Sequence, residues 1–166
     1  YGGGIENRAR LMLEVSKAVA AAAGSERTGI RISPVTPAND ISDSNPQPLF
    51  DHIVDQLNAL KLTYIHVIEG ATGGPRDNAP FDYAGLRKSF RGAYMANNGY
   101  TRELAIDAVA ADQADLVSFG KAFIANPDLV ERLRRDAPLN PLDKKTLYGG
   151  DARGYTDYPA LATAAG

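Results

Sequence analysis

Short apolar segments alternate with helical patterns along this chain, and this alternation constrains the fold more than any other feature. The strand-like segments are residues 28–33, 64–68, 93–96 and 116–119. The helical patterns are residues 6–23, 49–60, 83–89 and 101–111. A further helix is predicted from Asn126, because a capping asparagine, a proline and an acid follow one another there. The alternation predicts an α/β fold in which crossover helices cover a parallel sheet.

The amino-acid composition limits the kinds of ligand that this chain is expected to bind. The chain has 166 residues, 44% of them hydrophobic, and its 18 Lys and Arg nearly balance its 20 Asp and Glu. This balance gives no positive surface for nucleic acid, and no segment approaches the roughly 20 apolar residues that span a bilayer. Cysteine is absent, and the 2 histidines are too few for a histidine-rich metal site. We therefore expect a cytoplasmic protein that binds a small molecule and no metal, nucleic acid or membrane.

Polar and glycine-rich segments follow each of the predicted strands. Residues 35–48 and 69–80 are long loops after the first two strands, and shorter turns lie at residues 97–99 and 120–121. Ligands of parallel sheets bind beyond the carboxyl ends of the strands, so these segments predict the ligand-binding edge. Glu69 ends the second strand at this edge, where it is either a ligand-side carboxylate or a loop cap.

The two shorter turns are candidate anion sites. Gly120 allows a ligand to approach the backbone and Lys121 adds a cation beside it, although an ordinary surface turn has the same composition. Asn97, Asn98 and Gly99 can offer N–H groups to a phosphate, or the two asparagines can serve only as turn formers. Both readings remain open from these residues alone.

Arg31 is the most informative single residue. Alternation in the first strand places Ile30 and Ile32 on one face and Arg31 on the other. A guanidinium within a parallel strand needs a carboxylate or an electron-rich ligand atom, because burying it unpaired is costly. From these residues alone, the partner of Arg31 is either a carboxylate in a salt bridge within the sheet or a ligand. His66, in the middle of the second strand, is interpreted as a hydrogen-bonded core histidine.

Six segments occur together in one order: YGGGIENRAR, GIRISP, YIHVIEG, NNGYTRE, DLVSFGKAFIANPDLVERLR and APLNPLDKKTLYGGDARGYTDYP. Together they resemble the carboxyl-terminal half of the Old Yellow Enzyme family, FMN-dependent and NAD(P)H-driven ene-reductases that include N-ethylmaleimide and xenobiotic reductases. The resemblance covers residues 1 to about 159. It implies a TIM (β/α)8 barrel of which this chain supplies strands five to eight.

The resemblance implies that residues 1–166 are half of one FMN-binding domain, with a loop at 1–10, a half-barrel at 11–136 and a tail at 137–166. A complete barrel typically has about 250 residues, so an amino-terminal half-barrel chain or a second copy is the expected partner. The missing half would come from a split gene, cleavage or circular permutation. The family's substrate-anchoring pair and proton-donating tyrosine belong to that half and lie outside this chain.

The resemblance also implies catalytic roles for Arg31 and Tyr148. Arg31 is similar to the arginine that faces the N1/O2 edge of the flavin, where negative charge accumulates on reduction. Tyr148 resembles the tail tyrosine that borders the substrate space. The residues that match the family's phosphate-binding turns after strands seven and eight are Asn97, Asn98, Gly99, Gly120 and Lys121.

Two of these positions depart from the family pattern. Lys121 stands where arginine is usual, so the charge is kept but the planar bidentate fork is lost. Asn98 stands where many members have glycine, and its side chain either crowds the phosphate or donates a hydrogen bond to it.

The activity implied is a ping-pong reduction, in which FMN accepts a hydride from NADH or NADPH and passes it to an activated C=C bond. Enones, maleimides and nitro compounds are the substrate class. One alternative is a non-catalytic phosphate- or flavin-binding half-barrel that self-associates. Another, which sets the resemblance aside, is a small doubly wound α/β binding domain.

Overall fold

The computed structural model describes residues 1–39, 41–149 and 151–161. Its helices and strands are α1 (Ile5–Ala23), β1 (Gly29–Ile32), α2 (Pro46–Leu60), β2 (Tyr64–Ile68), α3 (Tyr83–Ser89), β3 (Ala93–Asn97), α4 (Arg102–Ala110), β4 (Leu116–Val117), α5 (Lys121–Ala125) and α6 (Leu129–Arg135). The four predicted strands and the helices between them are present, but β4 ends at Val117, whereas the sequence predicted a strand to residue 119. Helix α1 begins at Ile5, so the leading loop ends at residue 4 rather than residue 10. Residue 40 of the first long loop and residues 150 and 162–166 of the predicted tail lie outside the described residues.

The sheet is parallel throughout, and its strands follow one another in chain order, β1-β2-β3-β4. The register places Gly29 opposite Tyr64, and Tyr64 opposite Ala93. A doubly wound sheet reverses its strand order at a switch point, and the described strands contain no reversal. The doubly wound alternative is therefore wrong for the part of the chain that the structure describes.

One face of the sheet packs against helices. The residues that line it include Ile32 on β1, Ile65 and Val67 on β2, and Tyr94 and Ala96 on β3, all of them buried. Burial of an Ile or Val side chain stabilises a fold by about 1.5–3 kcal/mol, so this face fixes which residues point away from it. Because side chains alternate along a strand, the opposite face carries the polar residues between them.

The chain leaves one helical surface uncovered. Leu11, Val15 and Val19 share an apolar face of α1, yet they are 56%, 53% and 45% exposed. The buried residues of this helix are the small ones, Ala9, Ser16 and Ala20, which allow α1 to pack closely on α2. None of the helices within the described ranges is long and apolar enough to cross a membrane.

A second compact unit begins at Phe119, and its helices differ from the prediction. The turn predicted at residues 120–121 is the start of α5, and the helix predicted from Asn126 begins at Leu129. The Asn126 side chain does not cap the N-terminus of α6: its Oδ1 accepts a hydrogen bond from the Asn140 N–H and its Nδ2 donates to the Ala122 carbonyl of α5, each at 2.8 Å. Asp128 accepts hydrogen bonds from the Leu161 N–H and from Arg132 Nε, each at 2.7 Å. The bonds from Asn140 and Leu161, which join residues 14 and 33 positions apart, take the place of the predicted local cap.

Candidate functional site

A chain of hydrogen bonds crosses the sheet face that is turned away from the helices. Arg31 on β1 donates from Nη2 to Oδ1 of Asn97, the last residue of β3, at 3.3 Å. Asn97 Nδ2 donates to the Ser118 carbonyl at 3.0 Å and to Ser118 Oγ at 2.9 Å. Ser118 Oγ lies 2.8 Å from His66 Nε2 on β2. We call Arg31, Asn97, Ser118 and His66 the arginine chain.

The local sequence explains why these side chains meet. The parallel register pairs Arg31 with His66, and the alternation of buried residues turns both away from the helices. The prediction for Arg31 is confirmed in that respect. A structural salt bridge was the open alternative, and Arg31 makes none with the residues that the structure describes. His66 is hydrogen-bonded as expected, but it is half-buried on the open face rather than in the core.

The electrostatics of the arginine chain favour a single cation. Partial burial and the nearby Arg31 guanidinium lower the pKa of His66 below its ordinary value of 6.5. At neutral pH His66 is therefore uncharged, and Arg31 carries the positive charge of the chain. The Arg31 residue is exposed, and a guanidinium has several N–H donors, of which its bond to Asn97 uses one. The remaining donors can bind a ligand.

The turn at residues 97–99 has an unusual backbone. Asn98 and Gly99 have consecutive positive φ angles, 97° and 67°, and one residue separates them from the Thr101 cap of α4. The Asn98 side chain is buried and faces the loop after β2: Nδ2 donates to the carbonyls of Glu69 at 2.7 Å and Ala71 at 2.8 Å. These bonds occupy the Asn98 side chain, so the backbone of the turn is what remains for an anion.

A second network lies at the same edge of the sheet, around a buried carboxylate. Glu69, 6% exposed, accepts hydrogen bonds from Tyr94 Oη at 3.0 Å and Tyr100 Oη at 2.8 Å. Arg76 donates to Glu69 at 2.8 Å and stacks over the Tyr100 ring, with Cζ 4.2 Å from the centroid. We call Glu69, Arg76, Tyr94 and Tyr100 the carboxylate cluster. Glu69 was open as a ligand-side carboxylate or a loop cap; the contacts make it the centre of a structural cluster.

The tyrosines of this cluster act as hydrogen-bond donors. Burial and the Glu69 carboxylate raise the pKa of Tyr94 well above its ordinary value of 10.0. Burial and the hydrogen bond to Glu69 raise the pKa of Tyr100 in the same direction. Both hydroxyls thus stay protonated and neutral beside Glu69. The sequence carried no signal for this cluster, because the partners of Glu69 lie 7 to 31 positions away from it along the chain.

The other predicted site residues, Gly120, Lys121 and Tyr148, lie in the second unit. A side chain added at Gly120 would meet nothing within 4 Å, so a ligand has free access to this backbone. Lys121 is exposed at the first residue of α5, and Tyr148 is 91% exposed. Within the described ranges no group of three or more His, Asp or Glu residues could hold a metal ion.

Several known proteins that are similar to this chain belong to flavin oxidoreductases or are named as reductases. Residues 1–140 match the family described as NADH:flavin oxidoreductase / NADH oxidase. The 12-oxophytodienoate reductase 7 of Oryza sativa subsp. japonica is 44% identical over 97% of this chain and 45% of its own length. The old yellow enzyme homologue from Zymomonas mobilis superposes with a TM-score of 0.91, at 38% identity over 97% of this chain and 46% of its own. Morphinone reductase in complex with tetrahydroNAD superposes with a TM-score of 0.89, at 41% identity over 97% of this chain and 43% of its own.

These matches place the chain among flavin-dependent oxidoreductases with a parallel α/β fold of the TIM-barrel kind. The chain belongs to the NADH:flavin oxidoreductase / NADH oxidase family, and the predicted Old Yellow Enzyme relationship is confirmed. FMN and NAD(P)H are the cofactors of this family, as predicted. The chain spans about half the length of the curated relatives it matches.

Proposed function

We propose that this chain is the carboxyl-terminal half of an FMN-dependent, NAD(P)H-driven ene-reductase. It would supply strands five to eight of a TIM barrel, and an amino-terminal half would complete the site. The observation that carries this proposal is Arg31, an exposed guanidinium on the face of the sheet opposite the helices, held by Asn97 and with donors to spare. An arginine placed there without a carboxylate partner is suited to an electron-rich ligand.

The described residues fit FMN on two counts. Arg31 offers several N–H donors, which suits a ring that becomes negatively charged when it is reduced. The backbone is also open where a phosphate would need it. A Cβ at Gly99 would have only Arg76 Cδ nearby, at 3.9 Å, and a Cβ at Gly120 would have nothing within 4 Å.

When bound, FMN supplies hydride transfer between NAD(P)H and an activated C=C bond. The residues of this chain would bind and orient the cofactor. Arg31 would present positive charge to the ring, and the backbone of residues 97–99 would donate N–H groups to the phosphate. In the second unit Gly120 and Lys121 offer the same chemistry, and Tyr148 would border the substrate. A cytoplasmic location and the choice between NADH and NADPH stay predictions.

The names of two relatives support the substrate class. Both 12-oxophytodienoate reductase and morphinone reductase are named for ketones. A ketone conjugated to a C=C bond withdraws electrons and makes the far carbon a hydride acceptor. We therefore propose enones as substrates, and maleimides and nitroalkenes as electronically similar ones.

The proposal that this chain associates with another chain is based on its exposed sheet edges and apolar side chains. In the part of the chain that the structure describes, β1 and β4 are edge strands, and Leu11, Val15 and Val19 leave an apolar stripe on α1. Open sheet edges and contiguous apolar surface favour association with another chain. The proposed partner is an amino-terminal half-barrel; self-association as a non-catalytic flavin-binding half-barrel is the second candidate.

Native mass spectrometry tests the proposal directly. The purified chain is measured with FMN, alone and with an amino-terminal half-barrel from a homologous reductase. We expect a one-to-one pair that holds one FMN and oxidises NADPH when 2-cyclohexenone or N-ethylmaleimide is added. A self-dimer that binds FMN without turnover would support the second candidate instead. A bare monomer or self-dimer without FMN in both mixtures would contradict both.

Two substitutions then test the residues in the flavin-loaded protein. Arg31→Ala should lose FMN or slow its reduction by NADPH, whereas Arg91→Ala, an exposed arginine, should change neither. Lys121→Ala should weaken FMN binding more at low salt than at high salt, because its contribution is electrostatic. Lys88→Ala, an exposed lysine on α3, is the matched control. Unchanged FMN occupancy and reduction rate in Arg31→Ala would remove its assigned role.

A further inference from the structure

We infer that His66 and Ser118 are positioning residues that orient the Arg31 guanidinium through Asn97, and that they thereby tune the preference for reduced over oxidised FMN. This inference rests on the proposed function, since it concerns how the chain would treat the bound cofactor. In this role His66 and Ser118 contact neither the cofactor nor the substrate and act only through Asn97 and Arg31.

The first step is that Ser118 fixes which way the Asn97 amide points. The Ser118 carbonyl is an acceptor only, so the group that lies 3.0 Å from it must be the Asn97 amide nitrogen. The same nitrogen donates to Ser118 Oγ at 2.9 Å. With Nδ2 committed to Ser118, Oδ1 must face the other way, toward Arg31. Asn97 therefore presents an acceptor to the guanidinium rather than a second donor.

The second step is that His66 fixes the Ser118 hydroxyl. Because Ser118 Oγ accepts from Asn97, its own proton can point at His66 Nε2, which lies 2.8 Å away, closer than the other acceptor, the Ala96 carbonyl at 3.5 Å. This requires a lone pair on Nε2 and hence a neutral imidazole. A protonated His66 would instead donate to Ser118 and would add a second cation near Arg31. The local environment, which lowers the pKa of His66, favours the neutral form.

The third step connects this order to the cofactor. Arg31 is exposed and its side chain is long, so without the hydrogen bond to Asn97 the guanidinium would sample many rotamers. A donor fixed in advance stabilises developing negative charge better than a mobile one. Weakening the arginine chain should therefore reduce affinity for reduced FMN more than affinity for oxidised FMN.

Redox titration of the flavin-loaded protein tests this. Ser118→Ala should lower the ratio of reduced-FMN to oxidised-FMN affinity about threefold to tenfold, the latter being a potential shift of about 30 mV for a two-electron couple. His66→Leu should act in the same direction, while Ser118→Thr, which keeps the hydroxyl, should restore the wild-type potential. Met95→Leu is the matched control, since Met95 faces the same side of β3 and joins no hydrogen bond of the chain.

A second readout needs no flavin. In the 166-residue chain, the NMR order parameter of the Arg31 Nε–H bond should fall in Ser118→Ala and stay at the wild-type value in Met95→Leu. A wild-type Arg31 that is already mobile, or potentials that do not move in Ser118→Ala and His66→Leu, would overturn the inference and leave the proposed function standing. Absence of FMN from the wild-type protein in both mixtures would overturn the proposed function, and the redox part of this inference with it.

Discussion

The carboxylate cluster and the arginine chain occupy the same edge of one sheet, yet they use their polar groups in opposite ways. In the carboxylate cluster a buried Glu69 receives hydrogen bonds from Arg76, Tyr94 and Tyr100. In the arginine chain an exposed Arg31 makes one hydrogen bond, of 3.3 Å, with the described residues. Both clusters contain an arginine, but only Arg76 has a carboxylate partner there.

The difference separates a structural network from one that we propose binds a ligand. A buried charge must be paired and hydrogen-bonded within the protein, because otherwise its desolvation destabilises the fold. A residue that binds a ligand must keep donors in reserve, and its environment must hold it in place without satisfying it. Substitutions in the carboxylate cluster should therefore cost stability, and substitutions in the arginine chain should cost ligand binding.

The largest expected effect is from Glu69→Leu. It leaves Arg76 and two tyrosine hydroxyls without their acceptor, so the free energy of unfolding should fall by about 3–5 kcal/mol, measured by urea denaturation. Glu69→Gln keeps an acceptor and should cost less. Glu26→Gln, at an exposed position, is the control and should change stability by less than about 0.5 kcal/mol. A loss below about 1 kcal/mol in Glu69→Leu would show that the cluster is not structural.

Tyr94→Phe should have an intermediate effect. It removes the donor that lies 3.0 Å from a buried carboxylate and should lower the free energy of unfolding by about 1–3 kcal/mol. Tyr64→Phe is the matched control, because Tyr64 is half-buried in β2 and its hydroxyl has no hydrogen bond to the described residues. Equal losses in the two variants would indicate that packing, and not the hydrogen bond, explains the effect.

The pH dependence contributed by His66 should be smaller. Its folded-state pKa lies below 6.5, so as the pH falls through 6.5 the unfolded chain takes up a proton before the folded chain does. The free energy of unfolding should therefore decrease with falling pH in this range and level off below the folded pKa. His66→Gln should remove this part of the pH slope in urea titrations between pH 5 and pH 8. A slope that is the same in the wild type and His66→Gln would argue against the shift.

The smallest effect on stability is expected for Arg31→Ala. An exposed side chain with one long hydrogen bond should contribute within about 0.5 kcal/mol to the free energy of unfolding. The same variant should show the largest loss of FMN binding in the flavin-loaded protein. A stability loss comparable to that of Tyr94→Phe would place Arg31 with the structural network and would weaken the comparison.

The sequence by itself determined the element types and the sheet. Apolar periodicity is a local property, so β2 and α3 have the bounds that the pattern predicted, and Arg31 has its predicted side of β1. The six sequence segments determined the family, because their order is a property of the chain and needs no coordinates. The Thr101 cap of α4 is also local, since its side chain accepts a hydrogen bond from the Leu104 N–H three residues later.

Only the tertiary structure decided which polar groups are partners. Asn126 has the local signal for the N-terminal cap of a helix, but its Oδ1 accepts from Asn140 in the tail and its Nδ2 donates to the Ala122 carbonyl of α5. Arg31 and Asn97 are 66 positions apart, so no spacing rule could join them. A hydrogen bond depends on the distance and direction between two atoms, and for residues on different strands both are set by the register of the sheet. Which arginine is satisfied and which keeps donors for a ligand follows from that register.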